Sequence, residues 1–549
     1  MEKLDYSDKR CLLVEDRRPF LLLLKGLLSN LGAKRVTTEL TAEGGLKACK
    51  NTRYDIIICD LHLGNNRKNG FELLEEIRKR RLVKPSTVFI MISGDSAKSM
   101  VLGSIEKQPD DYLIKPFSQA QLNARITRAT ARRVTLASLY SQIDYEKFDL
   151  AIENCKHFLE VEPRYTSHCL KLLVNLYWKT KNYQAANKLL QKILDERPMH
   201  WAACAMAKTQ LLMQNYEKAI ELGKKVIDNS ANSVEAYDIV AEAYLLLDKK
   251  PEALKYIQDA LSLSPFSIER HFSVCEIARE NGDYEIAMDS AKAIYDLSRR
   301  SVHKNVNHLC GYVRSILDFA ENAPDKKIKN RQIQETLLTM QRLQHDELVS
   351  SKREDFDFKI FEQIVVARMQ YLDGKQTEAK RILEEAQIKI EKEFTEYPVS
   401  MAADSLKLMF DMGDFEEANK LVKLLKQNPN KIDSAIRYLM ETEQSSAETS
   451  RNKYVEHTKK GIALYSNGNF HDAFEEFQLA KKVAPLNIGV NLNLLQCLVK
   501  LIKASKKPDP NLIKDAKDIH RFVKNMPLKN THLKKYEEMK EEVFSTVGD

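Results

Sequence analysis

Apolar runs in the first 117 residues end on charged or hydroxyl side chains: CLLV before Glu15 and Asp16, IIIC before Asp60, TVFIMI before Ser93, YLI before Lys115. Each run is short, continuous and rich in β-branched residues. That pattern, unlike strict alternation, predicts parallel strands buried on both faces. The stretch LLLLKGLL, Leu21 to Leu28, holds Lys25 and is too short to span a membrane, so it predicts a helix packed on the sheet. Beyond about residue 120 the apolar positions take helical spacing, and helix is expected to dominate the rest of the chain.

In an open α/β sheet, ligands gather just beyond the carboxyl ends of the strands. The runs place an acidic pair, a lone Asp, a hydroxyl and a Lys-Pro at that edge, in that order. A carboxylate that attacks phosphorus makes an aspartyl-phosphate. Its in-line transition state needs the equatorial oxygens neutralised. A divalent cation with oxygen ligands supplies much of that neutralisation, a Lys adds a point charge, and a hydroxyl donates once an oxyanion is present. Taken singly, each residue reads as an ordinary cap, turn or strand terminator. The order and the intervals favour a joint site.

On these motifs, residues 9 to about 130 resemble the receiver domain of two-component response regulators. The resemblance implies a CheY-like, flavodoxin-like doubly wound α/β fold with five parallel strands in the order 2-1-3-4-5. It implies Asp60 as phosphoacceptor, and Mg²⁺ held by Glu15, Asp16, Asp60 and the backbone carbonyl of His62. It further implies Ser93 and Lys115 as phosphoryl-binding residues and Tyr112 as the rotating aromatic of the switch. His62 and Asp95, two residues after Asp60 and Ser93, match positions that tune dephosphorylation, although a surface-loop histidine is the commoner reading of His62. The chain departs from the family pattern at Gly64, where a Pro is common, and at Ser93, where Thr is commoner. The loop LHLGNNRKNG, Leu61 to Gly70, is about two residues longer than usual.

The remainder carries an internal period. Ala151, Ala186, Ala219, Ala253 and Ala287 recur at intervals of 35, 33, 34 and 34 residues. Pro163, Pro198 and Pro265 stand twelve residues after their Ala, and Tyr177 and Tyr244 nine before. A small residue lets paired helices approach, and a proline closes the second helix. This resembles tetratricopeptide repeats (TPR), a helix-turn-helix of about that period. The resemblance implies an all-α superhelical solenoid: about five repeats over 131–300, then irregular and degenerate repeats over 301–440 around Ala379 and Ala418. A further repeat around Ala473, with Gly461, Phe477, Ala480 and Pro485, is expected within 454–549 together with polar capping helices. The polar, Ser-rich stretch Glu441 to Lys453 predicts a loop. No Pro/Gly-rich linker separates the receiver segment, 1–130, from the first repeat, so a tightly packed junction is expected.

Composition narrows the function classes. The 549 residues carry a formal net charge of +8, modest for this length. Basic clusters at Arg125 and Arg128, Arg132 and Arg133, and Lys503 to Lys507 suit solvated helix faces better than phosphate contacts. No helix-turn-helix signature, zinc spacing or RNA-binding aromatic motif accompanies them, so DNA binding is not expected. No Walker loop, HExxH or nucleophile elbow points to an enzymatic output, leaving the receiver to catalyse only its own phosphotransfer and dephosphorylation. The nine Cys have no framework spacing, as expected of a reducing compartment. With neither a signal region nor a membrane span, a cytoplasmic location is expected, and the resemblance implies a bacterial source.

The sequence thus reads as a phosphorylation-controlled response regulator that signals through protein–protein interaction. A sensor histidine kinase or phosphotransfer protein is the expected donor. A protein partner is expected at the TPR groove, and a homodimer is a second possible output. The alternative keeps the same fold as a constitutive scaffold or phosphate sink with the receiver as a docking module.

Overall fold

The computed structural model describes residues 4–547 except 65–66, 95–101, 104–105, 107, 300, 351–352, 428–431, 433 and 506–508. Residues 1–304 form one compact unit and residues 305–549 another.

The first unit opens with a five-stranded parallel sheet. Its strands are β1 (Arg10–Val14), β2 (Arg35–Glu39), β3 (Ile56–Asp60), β4 (Val88–Ser93) and β5 (Asp111–Ile114). The order is β2-β1-β3-β4-β5, the order expected from the sequence. Alternate strand residues feed two apolar layers. Leu13, Ile58 and Ile90 pack with Leu24 and Leu28 of helix α1 (Arg18–Asn30), and with Leu122 and Ile126 of the Gln119–Thr135 helix. Leu12, Ile57 and Phe89 pack on the other face with Leu46 of α2 (Ala42–Asn51) and Leu74 of α3 (Gly70–Lys79). Burial on both faces explains why the runs are continuous. The register pairs Asp60 with Ile92, and Ser93 with Ile114, so the strand ends that carry polar residues line up at one edge.

After the sheet, helices follow in pairs. The Gln119–Thr135 helix breaks at Leu136, which is buried with Leu139, Ala151 and Cys155, so the junction is packed. The second helices of successive pairs in this unit are Phe148–Val161, Tyr183–Glu196, Tyr216–Asn229, Lys250–Leu263 and Tyr284–Ser298. The recurring alanines 151, 186, 219, 253 and 287 each take the fourth position of one of these helices, and all are buried. A left-handed residue stands two positions before each helix: Glu146, Lys181, Gln214, Asp248 and Gly282. The turn geometry repeats even where the residue type does not.

In the second unit the same turn precedes Gln376–Glu393, Phe415–Gln427 and Phe470–Val483, with Gly374, Gly413 and Gly468 in the left-handed position. Glycine adopts that conformation without the Cβ clash that other residues meet. One expectation is overturned. Glu441 to Lys453 is no loop but lies inside a continuous helix, Ser434–Ser466. No Gly or Pro interrupts residues 434–460, and buried Ile436, Met440 and Tyr454 anchor the helix on either side of the polar stretch.

The second unit is also rich in buried charge. Arg368, only 1% exposed, donates to Asp404 at 3.0 Å and to Asp318 and Glu321, while Arg314 donates to Asp404 at 3.0 and 2.9 Å. Among the described residues, no helix is long and apolar enough to cross a membrane.

Candidate active site

Beyond β1 and β3, one carboxylate oxygen each from Glu15, Asp16 and Asp60 come within 4.8 Å of one another. Glu15 is fully buried and Asp60 is 6% exposed. Burial pushes the Glu15 carboxyl above its ordinary range; the hydrogen bond from Lys115 opposes that rise, and the nearby charge of Asp60 adds to it. Lys115 follows β5 and reaches back across the edge. Its Nζ lies 2.7 Å from Glu15 Oε2 and 3.0 Å from Asp60 Oδ2. Its backbone N–H donates to the Ser93 carbonyl at 2.8 Å, which fixes where the side chain starts.

Asp60 Oδ1 is buried and accepts no hydrogen bond. A buried carboxylate oxygen left unpaired is costly, and it is also an oxygen available to a ligand. Three carboxylates against one lysine form a hard, oxygen-rich and negatively charged set, the donor set that Mg²⁺ prefers. The residues present therefore fit that ion.

Ser93 is fully buried at the end of β4, the strand next to β3. Tyr112 is half-buried in β5 against the layer that contains Phe89 and Met91. His62 is exposed, and Asp95 lies outside the described residues.

Three further residues shape the site in ways the sequence reading did not assign. Phe20 of α1 lies under the lysine, with Lys115 Nζ 4.2 Å from its ring centroid, and Phe117 packs edge-on against it at 6.0 Å. Gly64 has φ +95°, and a Cβ built there would come 3.9 Å from Asp16 Oδ2. A proline, fixed near φ −65°, cannot take that backbone, which explains the departure from the family pattern. Gly70 begins α3 against the Asp60 backbone, where an added Cβ would stand 2.5 Å from the Asp60 carbonyl oxygen. The long loop is pinned at its far end by a capping box between Asn69 and Glu72, and by an ion pair from Lys68 to buried Glu76. Phe20 had no legible signal. The two glycines did, as the only glycines in the loop that follows Asp60.

Comparison with known proteins bears on two segments. A family profile described as the response regulator receiver domain matches residues 11–127. A second, described as ChAPs (Chs5p-Arf1p-binding proteins), matches residues 148–352. The alkaline phosphatase synthesis transcriptional regulatory protein PhoP of Bacillus subtilis is 29% identical over 142 residues, 26% of this chain and 56% of that protein. The transcriptional regulatory protein RprY of Bacteroides fragilis is 34% identical over 134 residues, 24% of this chain and 53% of that protein. The chain thus spans about half the length of the curated relatives it matches. Among solved structures, a CheY-like response regulator receiver domain protein from Methanospirillum hungatei is 28% identical. The match covers 23% of this chain and 97% of that one, with a TM-score of 0.21. The N-terminal segment is a response regulator receiver domain, followed by a long all-helical region.

Proposed function

We propose that Asp60 accepts a phosphoryl group from a histidine kinase or phosphotransfer protein, and that the helical region carries the resulting signal to a protein partner. The observation that supports this most directly is Lys115, which bridges Glu15 and Asp60 while Asp60 Oδ1 stays buried and unpaired. In the transfer, an Asp60 carboxylate oxygen attacks phosphorus. The donor's P–N bond breaks, an O–P bond forms, and the imidazole leaves with the bond pair. Lys115 neutralises the phosphoryl oxygens, and Ser93 and Tyr112 are assigned to the switch that follows. Glu15, Asp16, Asp60 and the His62 carbonyl would hold Mg²⁺, which when bound offsets charge on the transferring group. His62 and Asp95 are assigned to tuning hydrolysis.

The output is read as protein binding. The recurring helix pairs with a buried alanine and a left-handed turn support a TPR-like solenoid, and such surfaces grip peptides and partner helices. The ChAPs description, which names proteins that bind Chs5p and Arf1p, points the same way for residues 148–352.

Intact-mass spectrometry after incubation with Mg²⁺ and a small acyl phosphate tests the first step, with light scattering on the same samples. A single phosphoryl adduct is expected on the wild type and none on Asp60→Ala. An adduct that persists in the variant, or none on either, overturns the assignment. A doubled mass on phosphorylation would place the output in homodimerisation instead of partner binding.

A further inference from the structure

Within the first unit, a cleft of about 1380 Å³ lies between the receiver and the helix pairs. Arg78, Arg81 and Arg132 line it from the receiver. Lys171 and Trp178 of the Thr166–Lys179 helix line the facing wall, with Trp201 and Lys208 of the His200–Leu212 helix. The walls are joined covalently through the buried junction at Leu136, and an ion pair from Arg270 to Glu106, at 2.6 Å, ties them as well. Nine Lys and Arg side chains line the cleft against four carboxylates. That excess is more than half of the formal +8 of the whole chain, so the charge is concentrated here.

The carboxylates of the receiver wall are already engaged. Asp110 accepts from Arg132 at 3.3 Å and from Arg133 at 2.6 Å, and Asp111 from Arg125 and Arg128 at 3.1 and 2.6 Å. The surplus shows on neighbouring groups. Burial lowers the Arg78 guanidinium, and the charge of Arg133 lowers it further. Burial, then Arg132 and Arg133, hold His168 neutral at about 4. An anionic ligand relieves such a surface. The volume exceeds the roughly 300–1,000 Å³ of small-molecule sites, so a polymer segment fits better than a metabolite. Single-stranded nucleic acid stacks its bases on open aromatic faces. Here a lysine lies over each indole, Lys208 at 4.8 Å from the Trp178 centroid and Lys171 at 5.4 Å from that of Trp201. An ammonium beside a ring suits a carboxylate next to an apolar side chain. A peptide backbone also brings both carbonyl acceptors and N–H donors. Trp201 Nε1 and Arg132 Nε are buried donors without a hydrogen-bond partner among the described residues, and Asp144 and Glu235 supply acceptors on the lining. A phosphate backbone offers acceptors alone, which those two carboxylates repel.

We propose that this composite cleft, with the receiver as one of its two walls, binds an acidic segment of a partner protein in which Glu or Asp alternates with apolar residues. Arg81 of the receiver and Lys171 of the helices pair its carboxylates from opposite walls, and the indoles take its apolar side chains. The proposal rests on the reading above that the helical region binds protein, and it makes the receiver part of the binding surface. The chain supplies its own probe, because Trp178 and Trp201 are its two tryptophans and both line the cleft.

The experiment titrates the full chain with a short peptide of alternating Glu and Leu, read by tryptophan emission and by the anisotropy of a fluorescein-labelled copy. Arg81 and Lys171 are exposed, so Arg81→Glu and Lys171→Glu each test one wall without entering a core. Lys156→Glu, exposed on the Phe148–Val161 helix and outside the cleft, is the control, and circular dichroism confirms folding. The wild type is expected to bind with a change in tryptophan emission. Each cleft variant should bind about tenfold more weakly, as should a peptide with Gln at alternate Glu positions, because like charges repel across an interface and lost pairs weaken it. Lys156→Glu should bind as the wild type does. Wild-type affinity in Arg81→Glu overturns the receiver's part in the site. An equal loss in Lys156→Glu assigns the effect to net charge and overturns the cleft. Equal binding of the Gln peptide overturns the acidic requirement and leaves the protein-binding reading intact. A single-stranded oligonucleotide that binds where the peptide does not, with the same emission change, overturns both. No binding of either probe overturns the cleft as a docking site.

Discussion

Gly70 packs so tightly against Asp60 that any side chain there would collide with the Asp60 carbonyl oxygen at 2.5 Å and with Met91 Sδ at 2.8 Å. The first obstacle is backbone, which cannot swing aside as a side-chain tip can. Gly70→Ala is therefore expected to displace the start of α3 and cost about 1–3 kcal/mol, the range for overpacking. Urea denaturation gives the stability, and intact mass under phosphodonor gives the adduct yield. Both should fall together. A variant as stable and as readily phosphorylated as wild type would show that the close approach carries no constraint.

The acidic cluster is held together against its own repulsion. Lys115 serves Glu15 and Asp60, while Asp60 Oδ1 has no hydrogen-bond partner. Asp60→Asn removes one buried negative charge and leaves Lys115 on Glu15. It is expected to stabilise the metal-free protein by about 1 kcal/mol, as relief of an incompletely paired buried charge. It should also shrink the stabilisation that added Mg²⁺ gives, because a ligand stabilises only in proportion to its affinity for the folded state. Thermal unfolding with and without Mg²⁺ reads both effects, and an unchanged Mg²⁺ response would remove Asp60 from the ion's ligands.

The left-handed turn before each second helix offers a test of opposite sign. Gln214 holds φ +63° at the position that Gly282 fills two repeats later and Gly374 in the second unit. A side chain in that region costs roughly 1–2 kcal/mol relative to glycine. Gln214→Gly should raise the denaturation midpoint, less the extra entropy glycine gains on unfolding. A destabilised variant would mean that the Gln214 side chain contributes more than its backbone strain costs.

The receiver was legible because its chemistry sits at the ends of continuous apolar runs; that pattern gives the edge placement, while the strand order came only from the family resemblance those motifs carry. The turn repeat was not legible as a residue pattern, since Glu146, Lys181, Gln214 and Asp248 share a conformation but no chemistry. The stretch Glu441–Lys453 misled because Ser and Thr favour turns in isolation, while tertiary anchors at Met440 and Tyr454 decide the matter. Phe20 under Lys115 and Glu106 on Arg270 are contacts between segments far apart in the chain, and no local spacing announces them.

The same holds for Asp404, which receives Arg314 on one oxygen and Arg368 on the other, all within 4% side-chain exposure. Asp404→Ala would leave two buried guanidinium groups with fewer partners, Arg368 retaining Asp318 and Glu321. Removing one member of a buried ionic network costs about 3–5 kcal/mol. Hydrogen exchange should rise in peptides from Val306–Glu321, Phe358–Leu372 and Val399–Asp411, the helices the network joins. Strands β1 to β5 should keep their protection. Uniform protection throughout would mean that neighbouring groups or water replace the lost carboxylate.

Glu417 gives the second unit a pH dependence of known sign. Burial would raise its carboxyl, but hydrogen bonds from Lys420 and Lys529 prevail and hold it at about 2, against an ordinary value of 4.5. The contacts are 2.7 and 2.8 Å. A carboxyl depressed in the folded state contributes stability that is fully present above its unfolded value and is lost as pH falls through the folded one. For Glu417 that window runs from about 4.5 down to about 2. Because the side chain is partly open to solvent, the contribution is discounted to roughly 1–2 kcal/mol. Glu417→Gln should be less stable than wild type at neutral pH, and the two urea-denaturation curves should converge as the window is crossed. Curves that stay parallel to acid would assign the loss in the variant to packing and not to the charge.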